Sequence, residues 1–293
     1  LPQRYALPAI RLPPTPFAMA KDISTGYEPL TSIEAVTSGL ATVGYISTRE
    51  ISTSVFLAHG LRKPILIEGP AGVGKTDLAQ SLAKWLSSFE DLFFSEQFLE
   101  SRPLLTAMQQ PAGSVLLIDE IDKSDEEFEA FLLEVLSDYQ VTVPEIGTIR
   151  ANVPPIVILT SNNVRELGDA LKRRCLHLHI GFPDAARERM IVQARVPDVT
   201  ESLLKQLVSF VQGVRETDVK KRPSISETVD WARTLLLMHA SALDENFVRS
   251  TLNVLLKHES DIAAVSKEIP RLVREAAGPD KAGRTSSGYP DLG

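Results

Sequence analysis

The sequence predicts an α/β domain in three αβα layers around a parallel sheet, followed by a small all-α domain. Three observations carry this. Short apolar runs bounded by turn residues, "PILIEG", "SVLLIDE" and "PIVILTSN", have the character of strands buried on both faces. Helical patterns lie between them, such as "KTDLAQSLAKWL" with Leu78, Leu82 and Leu86 spaced four apart. After "GFPD" (181–184) the strand signals stop and helical patterns alone continue.

Taken in order, residues 1–30 are Pro-rich and aperiodic and read as an extended arm. The opening "LPQRYALPAIRLPPTPFAMA" has five prolines and no continuous apolar core, so a signal peptide is not expected. It lacks a starting Met, which suggests a trimmed chain. Residues 31–184 hold the alternating strands and helices. Residues 185–275 read as amphipathic helices, in "AARERMIVQARV", "ESLLKQLVSFVQGV", "SISETVDWARTLLLMHA" and "NFVRSTLNVLLKHESDIAAV". Residues 276–293 are rich in Gly, Ser and Pro and are expected to be a flexible tail.

Composition narrows the function classes. The 293 residues are 43% hydrophobic and 24% charged, enough for one large or two modest domains. The net charge of −7 argues against a bulk electrostatic grip on nucleic acid. The single cysteine, Cys175, forms no internal disulfide, so a reducing, cytoplasmic setting fits, with Cys175 as a buried structural thiol. No stretch approaches the roughly 20 apolar residues of a membrane span.

"GPAGVGKT" (69–76) fits G-x-x-x-x-G-K-[ST] at every fixed position, between a strand and a helix. In Gly69, Pro70, Ala71, Gly72, Val73 and Gly74 the glycines let backbone amides turn inward as an anion nest at a helix N-terminus. Lys75 supplies a point charge for the β- and γ-phosphates of ATP, and the Thr76 hydroxyl is a ligand for Mg²⁺.

In "VLLIDEIDKSDEEF", apolar residues run into Asp119 and Glu120 at a strand end, where α/β sheets bind ligands. Asp119 is a second candidate for Mg²⁺. Glu120 is a candidate general base for water, or simple surface charge. Asp122, Asp125, Glu126 and Glu127 read as helix N-terminal acids. "PIVILTSNN" ends in a polar run, where Asn162 contacts a γ-phosphate and its water or merely caps a turn. "DALKRRC" (169–175) is either a basic helix end or holds an arginine finger.

Together these pieces resemble an AAA+ ATPase of the MoxR type, nearest the CoxD-like branch associated with maturation of molybdenum-containing carbon monoxide dehydrogenases. The resemblance spans about residues 40–275. It rests on "GYISTREISTSVFLAHGLRKPILIEGPAGVGKT", "RPLLTAM", "VLLIDEIDKSDEEFEAFLLEVLSDYQVTVPEIGTIRA", "PPIVILTSNN", "DALKRRCLHLHIGFPD" and "RPSISETVDWARTLL".

The resemblance implies that residues 69–76 are Walker A, Asp119 and Glu120 the Walker B pair, and Asn162 sensor 1. It implies that Arg174 is a finger acting on a neighbouring subunit, with Arg173 beside it and Cys175 where the family has an aromatic. Tyr45 and Ile46 match a segment lining the adenine. Residues 139–151 match a hairpin inserted before sensor 1. It further implies a ring, a hexamer, with a von Willebrand factor A-domain partner and a metalloenzyme client.

Two departures stand out. The second sensor arginine is replaced by Ser226, with Arg222 as a candidate substitute. Lys75 to Asp119 also spans only 44 positions, short for another strand and a pore-loop segment. Because omitting a core strand bares a sheet edge, residues missing from this stretch are the favoured explanation. Other classes to be tested are a nucleic-acid motor, a small-molecule P-loop kinase and an ATP-gated scaffold.

Overall fold

The computed structural model describes residues 29–86, 92–94, 102–111, 113–143 and 147–278. The arm at 1–28 and the tail from 279 therefore lie outside the described residues.

Five parallel strands form the central sheet: β1 (Ile65–Glu68), β2 (Leu92–Phe94), β3 (Val115–Ile118), β6 (Ile156–Ser161) and β7 (Leu176–His179). Their spatial order is β2-β3-β6-β1-β7. β1 aligns Ile65 with Ile158 of β6 on one side and with Leu176 of β7 on the other. Successive side chains point to opposite faces of a strand, and this splits the core in two. Ile65, Ile67, Val115, Leu117, Ile156 and Ile158 pack under α1 (Ile33–Thr42), α2 (Arg49–Leu61) and α3 (Lys75–Leu86). Leu66, Leu116, Ile118, Val157 and Leu159 pack under α4 (Arg102–Gln109), α5 (Glu126–Asp138) and α6 (Asp169–Arg174). Burying each such aliphatic side chain contributes about 1.5–3 kcal/mol, so neither face tolerates a polar substitution.

The strand thought to be missing between Lys75 and Asp119 is present. β2 pairs with β3 in parallel, Leu92 opposite Leu116, and α4 returns the chain to β3. Three residues suffice for an edge strand, so the short spacing still completes the sheet.

β4 (Gln140–Val143) and β5 (Gly147–Arg150) form an antiparallel hairpin before β6, with Gln140 opposite Arg150. This is where the sequence places an insert.

From Ala185 the chain is helical: α7 (Ala185–Arg195), α8 (Glu201–Glu216), α9 (Ile225–Leu237), α10 (Glu245–Leu255) and α11 (Glu259–Ala277). These helices share their own core, with Phe210 and Trp231 ring centroids 5.3 Å apart. The last sequence pattern is two helices, since the chain leaves the helix at Leu256 and restarts with His258 at the cap. Within this region Glu188 and Arg215 form a buried bidentate ion pair, 2.6 and 2.7 Å.

Candidate functional site

Three neighbouring strands, β3, β6 and β1, deliver the candidate residues to one end of the sheet. The loop from β1 to α3 needs glycine for two distinct reasons. Gly69 and Gly72 have φ of 147° and 74°, where side chains are strained. A Cβ at Gly69 would also lie 2.1 Å from the Ile180 carbonyl oxygen, and one at Gly72 2.3 Å from Ser224 Oγ. The loop is thus pressed between the end of β7 and the start of α9. Pro70 is half-buried and Ala71 exposed, while Val73 anchors the loop in the core. A Cβ at Gly74 would meet nothing, so the backbone there is open to an approaching group.

Lys75, only 6% exposed, donates to the Gly69 and Pro70 carbonyls and to Asn162 Oδ1, the last at 2.7 Å. Burial lowers its pKa, while Asp119, Asp122 and Glu120 act to raise it. Thr76 Oγ1 lies 3.1 and 3.2 Å from the Asp119 carboxylate oxygens. Asn162 Nδ2 donates to Glu120 Oε1 at 3.2 Å, and Lys123 pairs with Glu120 Oε2. Glu120 itself has φ of 54°. The structure therefore joins Lys75, Asn162 and Glu120 through one set of hydrogen bonds and Thr76 with Asp119 through another, and Thr160 connects the two.

Two members of this network were not assigned from sequence. Thr160 donates to Asp119 Oδ1 and accepts from the Glu120 amide at 3.0 Å, fixing both acids to β6. Asp122 does sit in the first turn of a helix, a short 3-10 segment (Ile121–Lys123), but its carboxylate has a further role. It is buried and accepts the Asn162 and Val164 amides. Asp125, by contrast, caps α5 through Phe128 N, and Glu126 and Glu127 occupy its first turn. Hydrophobic patterning marks Asp122 as one acid among several, and its burial arises only when β6 is laid beside β3.

A cleft of about 290 Å³ opens between the loop and the helical region. Tyr45, Ile46, Gly72 and Gly74 line it from one side. Burial raises the Tyr45 phenol pKa, and the Ile46 carbonyl accepts Arg187 Nη2 at 3.1 Å. Ser226 faces the cleft and lies 3.5 Å from the Gly72 carbonyl. Arg222 is exposed and does not line the cleft; Arg187, Arg195 and Arg233 do. The sequence pattern did not single them out: Arg187 and Arg195 lie in α7 and Arg233 in α9, and only packing brings the two helices to the cleft. Arg195 also bridges the two regions, reaching Asp77 of α3 at 2.6 Å.

The basic triplet separates into three environments. Lys172 pairs with Glu166 at 3.1 Å. Arg174 donates to Ser137 Oγ and the Ala170 carbonyl, at 2.9 and 3.1 Å. Arg173 is exposed, and neither arginine meets a carboxylate among the described residues. Cys175 is buried and burial pushes its thiol up to about 12, so it is inert at neutral pH.

Among the described residues no cluster of three His, Cys, Asp or Glu side chains could hold a metal. Thr76 and Asp119 supply two oxygen donors. That number suits Mg²⁺, which keeps waters and substrate phosphates as its other ligands. No helix among the described residues is long and apolar enough to cross a membrane.

Residues 65–184 match the AAA family, the ATPase family associated with various cellular activities. Similar proteins include an uncharacterized protein of Staphylococcus haemolyticus, 27% identical over 207 residues, covering 60% of this chain and 76% of its own. Another is the Holliday junction branch migration complex subunit RuvB of Pseudothermotoga lettingae, 25% identical over 69% of this chain and 68% of its own. A solved structure of a Thermotoga maritima RuvB mutant matches with TM-score 0.50 and 21% identity, covering 79% of this chain and 73% of that one. This last likeness speaks to fold. The chain has a parallel-sheet AAA+ fold, followed by a helical region.

Proposed function

We propose that this chain is an ATP-hydrolysing remodelling chaperone of the MoxR type that works as a ring. The observation supporting hydrolysis most strongly is the network of Lys75, Thr76, Asp119, Glu120 and Asn162, connected through Thr160. The bare backbone of residues 69–74 and the Lys75 charge would receive the phosphates, with Tyr45 and Ile46 beside the base. Thr76 and Asp119 would hold Mg²⁺, which neutralises charge on phosphate oxygens when bound. Glu120 accepts the proton of the attacking water, and Asn162 orients Glu120 and that water. Arg174, with Arg173 beside it, acts on the nucleotide of a neighbouring subunit, consistent with the exposure of α6. Head-to-tail contacts that close by rotation make rings; a hexamer is the size the family resemblance implies. A von Willebrand factor A-domain partner, a metalloenzyme client and a cytoplasmic setting belong to the same reading.

A second reading, a nucleic-acid motor, is favoured by the likeness to RuvB. The net charge of −7 weighs against it. One set of assays separates them. The chaperone reading expects ATPase rate per subunit to rise with protein concentration and to ignore DNA. Arg174→Ala should bind ATP and lose about 10³-fold in turnover. Mixing Arg174→Ala with Glu120→Gln should restore activity. Unchanged turnover in Arg174→Ala removes the finger assignment, and strong stimulation by branched or single-stranded DNA selects the motor.

A further inference from the structure

Asp122 is 2% exposed and lies beneath the turn that follows β6. Its Oδ2 accepts two amides of that turn, Asn162 N at 3.1 Å and Val164 N at 2.8 Å. Between them Asn163 has φ of 59°, in the left-handed region that asparagine enters more readily than most residues. Asp122 Oδ1 has no hydrogen-bond partner among the described residues. Burying a carboxylate with one oxygen unsatisfied is costly. A turn cap alone does not require it, because an exposed Asn or Asp could fork the same amides with both oxygens solvated.

The turn also leads directly into the residues before α6. Arg165 donates to the Ser124 carbonyl at 2.7 Å and to Glu129. Glu129 accepts the Gly168 amide at 3.0 Å, at the cap of α6. Two buried acids from the segment after β3 thus fasten consecutive stretches of the chain after β6. Only Asp122 touches the residue that donates to Glu120.

We propose that Asp122 is a positioning residue for hydrolysis. By fixing the Asn162 and Val164 amides, it sets the Asn162 side chain between Lys75 and Glu120. This rests on Glu120 acting as the base. Asp122 touches neither nucleotide nor water in this account; it acts through Asn162.

Asp122→Ala and Asp122→Asn test it, read by affinity for a fluorescent ATP analogue, steady-state turnover and amide hydrogen exchange. Asp122→Ala should keep analogue affinity within about threefold of wild type while kcat falls roughly tenfold or more. The Asn162 and Val164 amides should exchange faster. Asp122→Asn keeps an acceptor for both amides and should recover most of kcat and of the protection.

That second variant also separates geometry from charge, since the Asp122 carboxylate favours the charged form of Lys75. If Asp122→Asn loses as much kcat as Asp122→Ala, charge is responsible and the positioning role is overturned. An Asp122→Ala kcat within twofold of wild type overturns it as well. Should Asp122→Ala not fold, Asp122→Ser replaces it, because its shorter side chain cannot span both amides; it should fall as the alanine variant would. If wild type hydrolyses no ATP, the proposed function fails, while unchanged exchange at Asn162 and Val164 in Asp122→Ala separately defeats the positioning.

Discussion

Two charged networks in this molecule follow opposite rules. In the helical region Glu188 is fully buried and Arg215 is 6% exposed, and their groups are matched: the guanidinium forks the carboxylate and also donates to the Pro223 carbonyl. Gln212 and Thr228 supply the remaining donors to Glu188, and the Phe182 ring lies 5.0 Å from the Arg215 guanidinium. In the α/β unit, Lys75 is satisfied largely by loop carbonyls, Asp122 leaves one oxygen unpaired, and Glu120 leans on a half-exposed lysine. The first network is complete within the chain and serves the fold. The second is less fully paired among the described residues, and under the function proposed above a bound nucleotide would take up the Lys75 charge.

The comparison can be broken by substitution. The largest effect is expected for Arg215→Leu, which strands Glu188 in the core and should cost about 3–5 kcal/mol by denaturant unfolding. Adding Glu188→Leu should return much of that loss; no recovery would mean that the pair is more than mutually dependent charge. Lys75→Met should reverse the balance. Its unfolding free energy should move by less than about 1 kcal/mol, while ATP affinity falls at least tenfold, about 1.4 kcal/mol. A large stability loss would place Lys75 among the fold-serving charges.

Smaller effects sharpen the boundary between the regions. Arg195 and Asp77 join α7 to α3 but are partly solvated, so Arg195→Ala should cost under about 1 kcal/mol, and less in high salt. The smallest effect is a pH dependence at the start of α9. Burial raises the Glu227 pKa, but hydrogen bonds from Ser224 and the nearby Lys221 outweigh it and the net shift is downward. A depressed carboxylate stabilises the fold above the ordinary Glu range, and that contribution disappears as pH falls through the folded value. Glu227→Gln should therefore lower stability slightly near pH 7 and flatten the acid limb, the variant and wild type converging at low pH.

The same contrast explains what could be read from the sequence. β1, β3 and β6 were legible because each is an apolar run with a functional residue at its end. Lys75, Thr76, Asp119 and Asn162 came with them, since a motif's spacing fixes their place on the strands. β2 was not legible: three residues carry too little pattern, and its presence depends on pairing with β3. Asp122, Thr160 and Arg187 were missed for another reason. Their partners, Val164, Glu120 and Ile46, belong to different elements, so only packing gives them meaning. Arg222, although near Ser226 in sequence, is exposed and does not line the cleft.

The central claim is that the less fully paired network is a hydrolytic centre with Glu120 as its base. It is tested most directly by measuring ATP affinity and turnover side by side for Glu120→Gln. The account predicts affinity within about threefold of wild type and turnover reduced roughly 100-fold or more. Turnover within tenfold of wild type, or equal losses of affinity and turnover, would contradict it.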